Sequence, residues 1–170
     1  FDGFVGLMSF KNIEMSKLKL GITIGDINGV SVEVIIKALS DERMLNQFTP
    51  IIYGSSKVLS YHKNIVESEN FHFSSISKAE SAKYNRVNVL NCWDETANIE
   101  LGKATQEAGK FAHIALDRAV RDFQQHQIDG IITAPINKHA MKMADFPFPG
   151  HTEFIADKFK SSNSMMMMVS

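Results

Sequence analysis

The chain has 170 residues, 44% of them hydrophobic and 22% charged, with a formal net charge of −1 at pH 7, the length and composition of one soluble domain or one lobe of a larger protein. Its 18 basic and 19 acidic residues are scattered rather than blocked, so the chain carries no electrostatic footprint for nucleic acid or for an anionic membrane. The single cysteine, Cys92, excludes an internal disulfide and a Cys-based zinc knuckle and fits a reducing compartment, the cytoplasm by default.

The opening "FDGFVGLMSFKNIE" lacks an initiator methionine, a basic leader and an unbroken apolar core. Residues 1–14 are expected to be a leader outside the fold, with residues 15–170 forming the fold itself. "KLGITIGD" reads as a strand, and "VSVEVIIKALS" as a helix with Val34, Ile35, Ala38 and Leu39 on one face. "PIIYGS" is a second strand, "SKVLSYHKN" a helix, "FHFSSI" a weaker strand and "RVNVLN" another. In "KATQEAGKFAHIALDRAVRDFQQHQ" apolar residues recur every three or four positions, which predicts a long helix. It runs into "IDGIITAP", apolar enough for a central strand buried on both faces. Short helices are expected after Pro135 and after His151, and "MMMMVS" reads as a last strand. The longest apolar run, Met165–Val169, is far short of the roughly 20 residues of a membrane helix. Alternation of this kind predicts an α/β fold, a largely parallel sheet with helices on both faces.

The turn "GDINGV" follows the first strand, where glycines would let backbone amides approach a phosphate. Its spacing matches neither a dinucleotide fingerprint nor a P-loop. The plain alternative is a strand-to-helix turn in which Asp26 and Asn28 satisfy local amides and Gly29 takes a positive φ. "ITAPINKHA" places Thr133, Pro135, Asn137 and Lys138 just past the C-terminal end of a buried strand, the edge where open α/β sheets bind ligands. Lys138 is otherwise a solvated surface charge.

"PFPGHTEFIAD" delivers His151, Thr152 and Glu153 from a Pro/Gly turn into a helix. Either Thr152 caps that helix and His151 packs over the turn, or the triplet lines a pocket. His113, His126 and His139 are not at a local metal-ligand spacing, and the first two would stand about 20 Å apart on one helix. The four consecutive methionines fit strand core better than a soft-metal site. No Gly-x-Ser-x-Gly nucleophile elbow occurs.

"GITIGDINGVSVEVIIKAL", "GIITAPINKHAM" and "FPGHTEFIAD", taken in order, resemble the 4-hydroxythreonine-4-phosphate dehydrogenase family of pyridoxal phosphate (vitamin B6) biosynthesis, over about Lys17 to Ser170. The family's first loop is typically Gly-Asp-Pro-x-Gly-Ile-Gly-Pro-Glu; here Ser31 replaces a glycine, and Ile27 and Val32 replace both prolines.

The resemblance implies a fold similar to isocitrate and isopropylmalate dehydrogenases, of which this chain would be a truncated, N-terminal part. It implies NAD-dependent oxidation of 4-phosphohydroxythreonine followed by decarboxylation, with substrate held by His151 and Thr152 and with Asp26, Lys138 and Glu153 as loop-ordering or supporting residues. No catalytic residue is assigned. It further implies a divalent metal (Zn, Mg or Co) whose ligands, like most NAD contacts, lie downstream of Ser170, and a homodimer when full length. A paralogue acting on a phosphorylated threonate or erythronate, or a catalytically inactive fragment, are the competing expectations.

Overall fold

Strand β1 (Lys19–Thr23) opens the fold in the computed structural model, which describes residues 17–161 together with Met165 and Met167. Helices α1 (Ser31–Leu39) and α2 (Glu42–Gln47) lead to β2 (Thr49–Gly54), and α3 (Ser56–Val66) to β3 (Phe73–Ile76). A short 3-10 turn at Ala79–Ser81 precedes β4 (Val87–Asn91). Then come α4 (Gln106–Gln124), β5 (Gly130–Thr133), α5 (Lys138–Met143) and α6 (His151–Lys158).

The strands form one parallel sheet in the order β3-β4-β2-β1-β5. β2 is buried along its whole length, as its unbroken apolar run requires of an interior parallel strand. Ile22 and Ile132 are partners across β1 and β5, and both face α1. Tyr53 faces the other way, donating its hydroxyl to Asp122 of α4 at 2.8 Å, and Arg118 holds the second oxygen of that carboxylate at 3.0 Å. α1 and α3 thus cover one face, and α4, with α5 and α6 packed outside it, the other.

Two apolar cores result. The larger gathers the strands, α1, α3 and the sheet side of α4. The smaller joins Ala112, Leu116 and Val120 of α4 to Met141, Phe146 and Phe154. Gly109 is where α4 and α5 cross: a Cβ there would stand 2.0 Å from the carbonyl oxygen of Ala140, so only glycine allows the approach.

Four expectations change. α1 buries Val32, Ile35, Ile36 and Leu39, while Val34 is exposed: the stripe at i, i+3, i+4 and i+7 from Val32 faces the sheet, and Val34 and Ala38 lie off it. α2 was not foreseen: its sequence ERMLNQ buries no residue fully and carries no periodic apolar signal. β5 is the edge strand of the described sheet, not a central one, and Ile132 is 43% exposed. α4 ends at Gln124, so His126, with φ +57, lies beyond the helix rather than on it. The expected strand at 165–170 lies outside the described residues except for Met165 and Met167, which belong to no element.

Candidate functional site

Between β1 and β5 the connections diverge: β1 leads through α1 to β2 on one side, and β5 arrives on the other after α4 has crossed the sheet. In open α/β sheets the crevice outside the C-terminal ends of such strands is the ligand site. Two loops meet there, residues 24–30 and 134–137.

Gly25, not Gly29, has the positive φ, +68. A Cβ on it would lie 2.3 Å from the carbonyl oxygen of Pro135, and the amide of Asp26 donates to that same oxygen at 2.9 Å. The buried Asp26 carboxylate accepts from the amide of Asn28 at 3.0 Å, and its carbonyl accepts from the hydroxyl of the buried Ser31. Asp26 therefore bonds to its own loop through both side chain and main chain. Ser31 supplies a hydrogen bond that a glycine there would lack.

The Asn28 side chain does more than satisfy local amides. Its carboxamide donates to the carbonyl of Lys103 and the hydroxyl of Thr105, each at 3.1 Å, and accepts from the amide of Glu100 at 2.8 Å. It clamps the loop before α4 onto the loop after β1. From the opposite side His62 of α3, itself buried, donates Nε2–H to the carbonyl of Ile27 at 2.9 Å. No sequence signal points to these long-range partners; only the burial of a polar Asn in a turn hints at them.

Asn137 caps α5 by accepting from the amides of His139 and Ala140, which presents Lys138 on the first turn. Lys138 is exposed, and its Cε lies 4.0 Å from where a Cβ on Gly150 would stand. Gly150 is the N-cap of α6 and no side chain caps that helix. Thr152 is thus not the cap; it stands in the first turn with its side chain exposed. Glu153 folds back, its Oε2 3.4 Å from the same Gly150 position. The aromatic rings of Phe146 and Phe148 pack 5.4 and 5.5 Å from Phe154, anchoring the turn before Gly150 to α6 and to α4.

His151 is half-buried, and its Nε2 is buried without a hydrogen-bond partner among the described residues. Burial pushes the imidazole below its ordinary range, so it is neutral at physiological pH and keeps one nitrogen for a hydrogen bond. An uncapped helix N-terminus, a neutral imidazole and a nearby lysine suit an anionic, hydroxyl-bearing small molecule.

The structure brings the first two stretches together, the amide of Asp26 donating to the carbonyl of Pro135, while Lys138 lies near the third, its Cε 4.0 Å from where a Cβ on Gly150 would stand. No ion pair joins Asp26, Lys138 and Glu153 among the described residues. His113 sits edge-on to Phe146 and Phe154 at 4.9 and 5.7 Å, as core. Among the described residues no group of three His, Cys, Asp or Glu is placed to hold a metal, so the donors in hand do not fit one by themselves. No described helix is long and apolar enough to cross a membrane.

Residues 46–170 match the family model described as pyridoxal phosphate biosynthetic protein PdxA. A 4-hydroxythreonine-4-phosphate dehydrogenase of Bacteroides thetaiotaomicron is 46% identical over 92% of this chain and 43% of its own length. A D-threonate 4-phosphate dehydrogenase of Cupriavidus necator is 32% identical over 88% of this chain and 45% of its own. The crystal structure of a 4-hydroxythreonine-4-phosphate dehydrogenase from Burkholderia phymatum superposes with a TM-score of 0.84 at 31% identity, over 91% of this chain and 47% of that one. The chain therefore spans about half the length of the relatives it matches, and its fold is theirs, of the isocitrate/isopropylmalate dehydrogenase type.

Proposed function

The chain belongs to the PdxA family of pyridoxal phosphate biosynthetic proteins, and from that premise we propose that the whole protein oxidises 4-phosphohydroxythreonine with NAD and a divalent metal, with loss of carbon dioxide. Its relatives are named dehydrogenases. On this reading the metal and most NAD contacts come from residues outside this chain. What this chain contributes is the grip on the substrate. We further propose that the whole protein is a cytoplasmic homodimer.

The observation that carries this reading is the Nε2 of His151, buried and without a hydrogen-bond partner among the described residues, at the start of α6, which no side chain caps. A substrate hydroxyl or carboxylate meets that nitrogen, Thr152 adds a second hydroxyl, and the lysine at 138 faces the anion. Asp26 and Glu153 order the two loops rather than touch the reacting atoms. His151→Ala in the whole protein should raise KM or lower kcat by roughly ten- to a hundredfold. Unaltered kinetics with 4-phosphohydroxythreonine, NAD and metal would refute the substrate role. The 170-residue chain alone should show no turnover.

The Cupriavidus necator relative supports a second reading, oxidation of D-threonate 4-phosphate. The two substrates differ in whether an amino group stands beside the carboxylate, so the ratio of their kcat/KM values in the whole protein decides between them.

A further inference from the structure

Ser55 stands at the N-cap of α3 in extended conformation, φ −139 and ψ 131, the residue type and backbone geometry that set a hydroxyl over the first turn of a helix. It caps nothing. No side chain caps α3, and the Ser55 hydroxyl makes no hydrogen bond to the described residues although Ser55 is only 3% exposed. A hydroxyl so buried calls for a partner from outside the chain.

The amides it would cap are open as well. Asn91, at the end of β4, accepts from the amide of Ser56 at 2.8 Å, and its own carboxamide is held by the Ser75 hydroxyl at 2.9 Å. The amides of Lys57 and Val58 meet no acceptor among the described residues. They are the second and third of an eleven-residue helix, where the amides point along the axis and the dipole favours negative charge. A cation completes the set. Lys57 is exposed and forms no ion pair among the described residues, and its Nζ lies 3.4 Å from the hydroxyl of Thr96 in the loop after β4.

We propose that the start of α3 binds a phosphate-type oxyanion, which accepts from the Ser55 hydroxyl and from the amides of Lys57 and Val58 and is neutralised by the Lys57 ammonium. This site is separate from the substrate grip. α3 follows β2, whereas Lys138 and His151 follow β5, two places away in the sheet, which is roughly 10 Å at the usual strand spacing. The oxyanion is either free phosphate or a phosphoryl group of the dinucleotide.

Calorimetry with inorganic phosphate tests the site in the whole protein, saturated with 4-phosphohydroxythreonine and without NAD so that the substrate's own anion contacts are filled. Ser55→Ala combined with Lys57→Gln should weaken phosphate binding at least about tenfold. Absence of phosphate binding in the unaltered protein, or binding that the double variant leaves unchanged, overturns the proposal. The urea midpoint separates a ligand role from a structural one. In phosphate-free buffer Ser55→Ala should leave the midpoint unchanged, and added phosphate should raise it in the unaltered protein but not in the double variant. A fall with Ser55→Ala in phosphate-free buffer would mean that the hydroxyl is an ordinary helix cap, and would sink the claim. Kinetics then identify the source: a KM for NAD raised about tenfold in Lys57→Gln assigns the phosphoryl group to the dinucleotide, and an unchanged KM with phosphate binding lost assigns the site to free phosphate.

Discussion

The carboxamide of Asn28 donates to the hydroxyl of Thr105 at 3.1 Å, and that hydroxyl accepts in turn from the amide of Ala108 as the cap of α4. One side chain, 2% exposed, thereby ties the loop after β1 to the start of the longest helix. Asn28→Ala would leave the Glu100 amide and the Lys103 carbonyl without partners. The expected loss is about 2–4 kcal/mol of stability, read from the urea midpoint.

Gly109→Ala should separate α4 from α5. The added carbon meets main-chain atoms, 2.0 Å from the oxygen and 2.4 Å from the carbonyl carbon of Ala140, so no side-chain rotation relieves it. A cost of about 3 kcal/mol is expected, with Lys138 displaced from the Gly150 turn. Urea unfolding measures the first effect. Loss of substrate affinity in the whole protein, beyond what reduced stability explains, measures the second.

Acid should destabilise the fold through three histidines. Burial pushes His62, His113 and His151 below their ordinary value, so between that lowered value and about pH 6.5 the unfolded chain binds more protons than the native one. Their contribution is complete above about pH 6.5 and is lost as pH falls, at up to about 1.4 kcal/mol per pH unit for each histidine still neutral in the fold. His62→Gln should flatten the part due to α3. A urea midpoint constant from pH 7 to 5 would contradict this.

Alkali acts on Tyr53. Burial first, and the neighbouring Asp122 carboxylate second, raise its phenol above the ordinary value. Its contribution is complete below about pH 10 and declines above it, because only the unfolded chain then releases the proton. Tyr53→Phe should remove that alkaline decline. At neutral pH it should cost about 1–3 kcal/mol, since one oxygen of the buried Asp122 loses its donor.

Trp93 stacks on Phe111 at 4.3 Å, and its Nε1 is buried without a partner among the described residues. Trp93→Phe keeps a stacked ring and removes that donor, so the loss should stay under about 1.5 kcal/mol. A larger loss by thermal unfolding would contradict this.

Much of this architecture was legible because apolar periodicity reports burial. β2 and α4 show it most clearly, the one apolar over most of its length, the other apolar every third or fourth residue. α2 escaped because a short helix that buries nothing fully leaves no such trace; its only sign was Asp41 accepting from the amide of Arg43. β5 looked central because a short apolar run reads the same at the edge of a sheet as inside it, and among the described residues its only neighbour is β1. At the site, local chemistry was readable and distant partners were not. The Gly-His-Thr-Glu turn and the Asp26 loop could be found from residue types. The contacts of Asn28 with Glu100, Lys103 and Thr105 join residues far apart in sequence, and no periodicity encodes them. The positive φ lies at Gly25 rather than Gly29, at the point where the loop after β1 packs against the main chain of Pro135, in a loop more than a hundred residues away.

That last contact has a genetic consequence. Gly25 is held by two independent demands, a φ of +68 and a main-chain oxygen 2.3 Å from where a Cβ would go. Exchanging the side chain at 135 cannot lift the second demand, because every residue carries the same carbonyl. A damaged Gly25 therefore has no suppressor in the facing loop. Selection for folded revertants of Gly25→Ala should return glycine at that codon rather than second-site changes, which makes this turn a fixed point around which the rest of the rim is free to vary.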